Sequence, residues 1–308
     1  MIMPRRCQLI KKMIPVYKDY IWGGENIKTK LGKKSPYAHT AESWEVSTHK
    51  DGLSLLEDGT TFKSFIESQS VDVLGNNYKR DKRFPVLIKY IDAKSNLSIQ
   101  VHPDDEYARV HENDSGKNEM WYIVSANSDA FIYLGFNKDV TREEVEKRIN
   151  ENTLEEILNK VAVKEGESYF IKAGTIHAIG AGCLIAEIQQ TSNVTYRLYD
   201  YGRLGKDGKP RELHIKKGLD VLNYKKQEME IHGGYGVLAI CPSFKVRKHE
   251  LWRSHKIKGT VESFVIAMIV KGNGTINKEK TKIGDTWFIS SAQDIKLMGN
   301  MTVLTVTI

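Results

Sequence analysis

The chain has 308 residues, of which 40% carry hydrophobic side chains, and its formal net charge is +7. A chain of this length and composition buries a substantial core, which excludes global disorder and leaves one large or two medium domains. Three cysteines (Cys7, Cys183 and Cys241) are too few, and odd in number, for a disulfide framework, so we predict a reducing, cytoplasmic location.

The positive charge is spread along the chain and forms no long tract. Lysine and arginine alternate with acidic residues, as in residues 142–148, which is typical of a solvated surface and not of a nucleic-acid-binding face. A positive field would also attract a phosphorylated sugar, so charge alone does not choose the partner. Lys11 and Lys12 interrupt the apolar residues near the start, which predicts neither a signal peptide nor a membrane span.

The first clear elements follow an irregular segment at residues 21–33. Residues 41–47 form a predicted strand, in which we interpret Glu42 and Trp44 as a buried tryptophan with a hydrogen-bonded acid. A short helix is predicted to begin at Thr61. Residues 84–92 are an apolar run that predicts a buried strand, and Lys89 within it faces either solvent from a sheet edge or a cavity, where it would contact phosphate or hydroxyl groups.

Residues 97–102 alternate in polarity, which predicts a strand with Gln100 and His102 on one face. Asp104 is placed to cap a short helix, and residues 113–116 turn the chain into a second strand. On that strand Lys117 and Glu119 share a face. If the two strands pair, Gln100, His102 and Glu119 converge as a donor set that suits zinc or another borderline divalent metal.

Residues 141–200 predict a helical cover followed by more strands. Thr141 caps a predicted helix to about residue 150, and Thr153 with Glu156 forms a capping box for another at residues 154–160. The next predicted strands are residues 168–171, 184–190 and 195–200.

A second histidine of interest follows the first of these strands. The aromatic strand ends near Gly174, and His177 follows three residues later. This spacing predicts that His177 lies at the same open end of the fold as Gln100 and His102. A lone histidine there is more often a core or capped residue, but the combination with Gln100 and His102 favours a metal ligand.

The last third of the chain repeats the strand pattern of the earlier part but contains no candidate metal ligands. Residues 211–222 predict a helix that leads to a domain boundary near residues 223–232. Residues 284–289 echo residues 166–171 in glycine, acid, aromatic pair and isoleucine. No histidine follows His255, so this unit is predicted to be a jelly roll without metal ligands.

These motifs resemble the cupin superfamily, although Gln100 and Lys172 stand where most cupins have histidine and proline. Gln-x-His-Pro followed by Lys-x-Glu is similar to the type I mannose-6-phosphate isomerases, in a likeness that extends from about residue 22 to residue 203 and is closest to the short bacterial form. It implies a mainly β fold with two cupin-like jelly-roll β-barrels and a few covering helices. Residues 1–230 would form the catalytic metal-binding domain, and residues 231–308 a cupin-like domain without ligands.

The resemblance also implies a ligand set for one zinc ion per chain, namely Gln100, His102, Glu119 and His177. The implied reaction interconverts mannose 6-phosphate and fructose 6-phosphate through metal-stabilised enediol proton transfer.

Three cationic residues are candidates for the chemistry. Lys117, near Glu119, is the first candidate for proton transfer. Lys89 and Arg197, which by the resemblance line the pocket, would anchor the phosphate or stabilise the enediolate, and the sequence leaves the division of roles open. Asn193 replaces the usual aspartate of the segment that contains Arg197.

Two other classes remain open from sequence. A non-haem iron oxygenase usually has more histidine ligands than the predicted ligand set contains, and a glutamine ligand such as Gln100 argues against this class. A metal-containing sugar-binding cupin without catalysis is the alternative function. The predicted partner is a phosphorylated hexose, with no nucleic acid and no membrane, and the protein is expected to be a monomer or a homodimer.

Overall fold

The computed structural model describes residues 9–80, 83–228, 231–232 and 234–308. Cys7, and with it part of the basic start, lies outside the described residues, as does part of the predicted boundary segment.

The strands are β1 (Ile10–Ile14), β2 (Val16–Lys18), β3 (Glu42–Val46), β4 (Leu55–Leu56), β5 (Val86–Ala93), β6 (Ile99–Val101), β7 (Glu119–Ala126), β8 (Phe131–Phe136), β9 (Leu158–Ala162), β10 (Ser168–Ile171), β11 (His177–Ile179), β12 (Cys183–Gln190), β13 (Tyr196–Tyr199), β14 (Ile231–His232), β15 (Gly236–Cys241), β16 (Phe244–Leu251), β17 (Ser254–Ile257), β18 (Val265–Ile276), β19 (Glu279–Lys282), β20 (Thr286–Ile289) and β21 (Ile295–Thr307). The helices are α1 (Asn26–Thr29), α2 (Phe62–Ser68), α3 (Val71–Leu74), α4 (Asp105–His111), α5 (Arg142–Asn150) and α6 (Ile215–Val221), with a 3₁₀ helix at Leu154–Ile157.

Two antiparallel sheets face each other and form the first barrel. The seven-stranded sheet has the order β14-β10-β7-β12-β5-β3-β2, and the five-stranded sheet has the order β13-β6-β11-β8-β9. Trp121 and Ile185 of the larger sheet pack with Ile132 and Val161 of the smaller one inside this barrel. The interior is therefore the place where side chains from both sheets meet.

The central strands of the larger sheet are buried on both faces. On β12, Ile185 faces the barrel interior, whereas Ile188 packs on Phe264 and Ile266 of the C-terminal part of the chain. Burial on both faces explains why β5 and β12 appear in the sequence as continuous apolar runs with no alternation. A charged residue within such a strand is therefore enclosed by protein.

A nine-stranded sheet folds around a core of its own, which includes Ile269 and Leu297. Its path is β15-β16-β21-β18-β20-β1-β4, with β17 and β19 paired at the side. β1 belongs to it because Ile10 lies opposite Ile289. The division at residue 230 stays a prediction, but strand pairing places β1 and β4 with the strands of the last part of the chain.

Helices cover the outer face of the five-stranded sheet. Val145 and Ile149 of α5 and Leu219 of α6 pack in one cluster with Ile99 and Leu198 of that sheet. Among the described residues, the helices are too short or too polar to cross a bilayer.

Local sequence signals for helix starts are confirmed at three places. Asp104 accepts a hydrogen bond from the backbone N–H of Tyr107 at the start of α4. Thr61 and Thr141 cap α2 and α5 in the same way. These caps satisfy backbone donors that a helix start leaves free.

Other local predictions were wrong. Thr153 makes no side-chain cap, and the predicted helix at residues 154–160 is a 3₁₀ turn followed by β9. Val161 lies opposite Ile132 of β8, so sheet pairing overrides the local capping pattern. The helix predicted from residue 211 begins only at Ile215, and β1 was not predicted at all.

Candidate active site

Three of the predicted site residues lie on strands that the five-stranded sheet brings together. Gln100 of β6 lies directly opposite His177 of β11 on one side and Arg197 of β13 on the other. His102 follows β6 and is 1% exposed. The strand that sequence analysis missed, β11, therefore supplies the second imidazole.

Glu119 reaches the same place from the facing sheet. The strands of Gln100 and Glu119 do not pair, so the condition under which their convergence was expected is not met: β6 lies in the five-stranded sheet and β7 in the seven-stranded one. The side chains converge across the barrel interior. His102 Nε2 lies 3.2 Å from Glu119 Oε1, and His177 Nε2 lies 3.8 Å from Glu119 Oε2.

Both imidazoles are oriented by a backbone carbonyl. His102 Nδ1 lies 2.9 Å from the carbonyl of Val194, and His177 Nδ1 lies 2.8 Å from that of Thr175. An N–H at Nδ1 leaves the Nε2 lone pair free to point at the cluster. Burial, and then the charge of Lys117, lower the pKa of His102 to about 3, so the ring is neutral.

Glu119 is buried and ionised. Burial would raise its pKa, yet Lys117 and the two histidines together hold it well below its usual value. Lys117 Nζ lies 2.9 Å from Glu119 Oε1 and 3.3 Å from His102 Nε2. Neither carboxylate oxygen accepts a hydrogen bond of good geometry, despite these short distances.

Gln100 adds an amide to this cluster. Its Nε2 lies 3.3 Å from His177 Nε2. A half-turn of the amide exchanges its oxygen and nitrogen, so the oxygen can be presented at the same place.

Lys89 lies deeper in the interior with two acids. Its Nζ is 3.1 Å from Glu187 Oε2 and 3.7 Å from Glu42 Oε2. Burial alone would lower the pKa of Lys89, but Glu187 and Glu42 raise it above its usual value. Glu187 also accepts a hydrogen bond from Trp121 Nε1 at 2.9 Å. Lys89 is thus a cavity residue and not the exposed edge lysine of the other interpretation.

Arg197 lies at the other end of the site and is half-buried. Its Nη1 donates to the carbonyl of Glu212 at 2.7 Å, whereas its buried Nε has no hydrogen-bond partner. Burial, and then the charge of Arg211, lower its pKa. The Nε–H of Arg197 is therefore available to donate a hydrogen bond to a ligand.

A cavity of about 280 Å³ connects Lys89, Gln100, Lys117 and Arg197. Its walls include Tyr20, Trp22, Glu42, Lys89, Ile91, Leu97, Ser98, Gln100, Lys117, Ile179, Glu187, Asn193, Thr195, Arg197 and Arg211. Two larger clefts, of about 470 and 510 Å³, lie around Thr191 and contain none of the predicted site residues.

Comparison with known proteins identifies the family. Residues 10–119 match the family model of the phosphomannose isomerase type I catalytic domain. The mannose-6-phosphate isomerase ManA of Bacillus subtilis (strain 168) is 37% identical over 271 residues, which cover 84% of this chain and 85% of that protein. The chain belongs to the type I mannose-6-phosphate isomerase family.

Two further comparisons agree with this membership. A mannose-6-phosphate isomerase of Streptococcus mutans is 34% identical over 267 residues, which cover 83% of each chain. The crystal structure of the mannose 6-phosphate isomerase from Bacillus subtilis superposes with a TM-score of 0.88 at 31% identity and covers 97% of this chain and 99% of that one. The mainly β, cupin-like fold class and the assignment to the aldose–ketose isomerases are thereby confirmed.

Several residues that line the cavity of this isomerase were not predicted from the sequence. Glu187 is the most consequential of them, and the signal was a lone acid in the apolar strand β12. The registers of β12 place Glu187 opposite both Lys89 and Trp121. Glu42 was interpreted as core. It does contact the Trp44 indole, but it also lines the cavity and pairs with Lys89.

Proposed function

We propose that this chain isomerises mannose 6-phosphate and fructose 6-phosphate at a single zinc ion held by Gln100, His102, Glu119 and His177. The observation that carries the proposal is the convergence of His102, Glu119 and His177, whose ligand atoms all lie within 4.8 Å of one another in the barrel interior. Within the described part of the chain, this group alone has metal-site geometry.

The chemistry of these donors fits a divalent metal. Two neutral imidazoles present Nε2, and Glu119 presents two buried oxygens that accept no hydrogen bond from the protein. Lys117 lies beside one of these oxygens but makes no hydrogen bond of good geometry with it, so coordination of a cation would further stabilise the buried carboxylate. Nitrogen and oxygen donors of this kind suit zinc.

A related fold has been solved with zinc. The mannose 6-phosphate isomerase structure bound with zinc and yttrium superposes with a TM-score of 0.76 at 18% identity, which carries the fold alone. The donor set of this chain is therefore the main argument for the metal. When bound, a divalent metal acts as a Lewis acid on the sugar oxygens next to the carbon atoms that exchange the proton.

Lys117 is the proposed proton-transfer residue. Its side chain is 4% exposed, lines the cavity and ends beside Glu119 and His102. An amine at this position is within reach of a sugar carbon bound against the metal ligands, and reach is the first requirement for general acid–base catalysis. In this role the neutral amine form of Lys117 takes a proton from one carbon, and the ammonium that results returns it to the next carbon.

Lys89 and Arg197 are the proposed binding residues. Because two acids hold Lys89 in its charged form, it supplies a fixed positive charge and N–H donors for sugar oxygens of the enediolate or a hydroxyl group. Arg197 has a planar fork suited to a phosphate, and its Nε is free of protein acceptors. The two cations would thus hold opposite ends of the sugar phosphate.

Metal analysis with a coupled assay for fructose 6-phosphate tests the proposal. We expect about one equivalent of zinc per chain, since one four-ligand site is proposed. A chelator should abolish turnover and zinc should restore it, while circular dichroism shows that the chelated protein stays folded. Full turnover without metal, or two equivalents bound with similar affinity, would contradict the proposal. The cytoplasmic location and the monomeric or dimeric state stay predictions.

A further inference from the structure

Arg211 shares the cavity wall with Arg197 but belongs to the loop after β13. The segment that begins with Arg211 wraps around Arg197. The carbonyl of Glu212 accepts from Arg197 Nη1, and His214 Nδ1 lies 3.3 Å from the backbone nitrogen of Arg197. The two guanidinium groups are therefore held on one wall by the same short segment.

Asp200 fixes the orientation of Arg211. This carboxylate is 5% exposed and accepts from Arg211 Nε at 2.7 Å through one oxygen and from Arg211 Nη2 through the other. A two-point contact of this kind sets the plane of a guanidinium. It leaves Arg211 Nη1 without a hydrogen-bond partner among the described residues.

Arg203 balances the charge of the same carboxylate. Its Nη2 donates to Asp200 Oδ1 at 2.6 Å, and its Nη1 donates to the carbonyl of Asn96. One carboxylate between Arg203 and Arg211 leaves one net positive charge, and Arg197 adds a second. The side chain of the nearby Glu212 is 83% exposed, so solvent screens its charge.

The resulting charge matches one kind of ligand group. A phosphate monoester carries about −1.5 to −2 at pH 7 and presents three strong acceptor oxygens. We propose that Arg211 is a second phosphate-binding residue beside Arg197, and that Asp200 is the positioning residue that holds it there. The inference rests on the proposed function, because it concerns the phosphate of the substrate at the same site.

Binding of a ligand that cannot isomerise tests this assignment without turnover. Glucitol 6-phosphate lacks the carbonyl group, and its affinity for the zinc-loaded full chain can be measured by calorimetry. R211M should weaken binding roughly 10- to 100-fold, as expected for lost charge-assisted hydrogen bonds. The affinity for unphosphorylated glucitol, measured by competition, should change less than twofold. R211K should fall between wild type and R211M, because it keeps the charge without the fork.

The matched control is K206M. Lys206 lies on the same loop and pairs with Asp19 at the surface, so K206M removes one positive charge without touching the cavity. Its affinity for glucitol 6-phosphate should stay at the wild-type value. If K206M lost as much affinity as R211M, the overall positive charge of the loop, and not a direct contact from Arg211, would account for phosphate binding.

The role of Asp200 needs a double-mutant cycle. D200N should weaken glucitol 6-phosphate binding in the wild-type background but not in the R211M background, because it acts through Arg211. An R211M affinity within twofold of wild type, or an equal loss for glucitol, would overturn the proposal. Zinc content and isomerase activity are measured on the same samples, so failure of the metal assignment is seen separately from failure at Arg211.

Discussion

Glu187 lies directly opposite Lys89 in the β5–β12 ladder, and Glu187 Oε2 is 3.1 Å from Lys89 Nζ. Glu42 approaches the same ammonium from β3 at 3.7 Å. All three charged groups are enclosed by the barrel, where water contributes little to their solvation. Lys89 is therefore a fixed positive charge in the barrel interior. Removing it, or removing one of its acidic partners, should change both the stability of the fold and the binding of the substrate.

Breaking this pair should destabilise the fold. E187Q leaves Lys89 with Glu42 alone, and K89M leaves two acids together, so each single variant should lose roughly 3 kcal/mol of unfolding free energy in urea. The double variant K89M/E187Q should lose less than the sum, since neither buried charge of the pair is left unmatched. K271M, which removes the surface pair with Glu165, should lose at most about 1 kcal/mol. Strict additivity in the double variant would refute the coupling.

Removal of either imidazole should empty the proposed metal site. H102A and H177A should lose zinc and turnover, while the protein stays folded, because the substitutions leave the apolar residues of the four core clusters unchanged. Metal analysis measures the loss of zinc, and circular dichroism shows whether the protein stays folded. H111A is the control, since His111 is exposed and stacks on Tyr107 outside the cavity. Full zinc occupancy in both site variants would remove these histidines from the ligand set.

Substitutions of Arg197 and Lys117 should have different effects on the kinetic constants. R197M should weaken substrate binding by roughly 1.5 to 3 kcal/mol per lost charge-assisted contact, and zinc content should not change. K117M should lower kcat far more than it raises KM, because a proton-transfer group acts mainly in the transition state. Steady-state kinetics on both variants, with metal content measured alongside, separates the roles. An unchanged kcat in K117M would exclude Lys117 as the acid–base residue.

His249 should make the C-terminal sheet sensitive to acid. Burial, and then His255 and Arg247, lower its pKa to about 4, and its Nε2 lies 2.9 Å from Thr305 Oγ1. Between the ordinary pKa of 6.5 and about 4, the unfolded chain binds a proton here that the folded protein does not. Stability should therefore fall as the pH drops through this window.

Urea unfolding at several pH values measures this dependence. The unfolding midpoint of the wild type should fall more steeply between pH 6.5 and 4 than that of H249Q, which keeps a polar group near Thr305. H39Q should behave like the wild type, because His39 is exposed and its ring lies beside Glu25, outside the strands of this sheet. Parallel curves for wild type and H249Q would contradict the assignment.

The proposed ligand positions could be named from the sequence because short-range patterns and the family resemblance both point to them. A period of two places Gln100 and His102 on one face, and the spacing from Gly174 to His177 predicts that His177 lies at the same open end of the fold. What the sequence did not contain was the partner of each strand. Glu119 approaches from the opposite sheet, and only the tertiary arrangement of β6 and β7 determines that.

Glu187 and Arg211 escaped prediction for related reasons. β12 is buried on both faces, so alternation does not mark the interior side, and the pairing of Glu187 with Lys89 depends on the register of distant strands. Arg211 was assigned to a helix, but the helix begins at Ile215 and Arg211 stays on the loop beside Asp200. The capping box at Thr153 failed because pairing with β8 stabilises a strand there.

The position of β1 in the nine-stranded sheet bears on how the protein is made. The ribosome releases β1 well before β20, the strand against which it pairs. The strands β5 to β13, which make up most of the first barrel, emerge between them and can pair while translation continues, as domains generally do. The strands that carry the candidate metal centre can thus pair early, whereas the hydrogen bonds of β1 to β20 can form only after β20 has been synthesised.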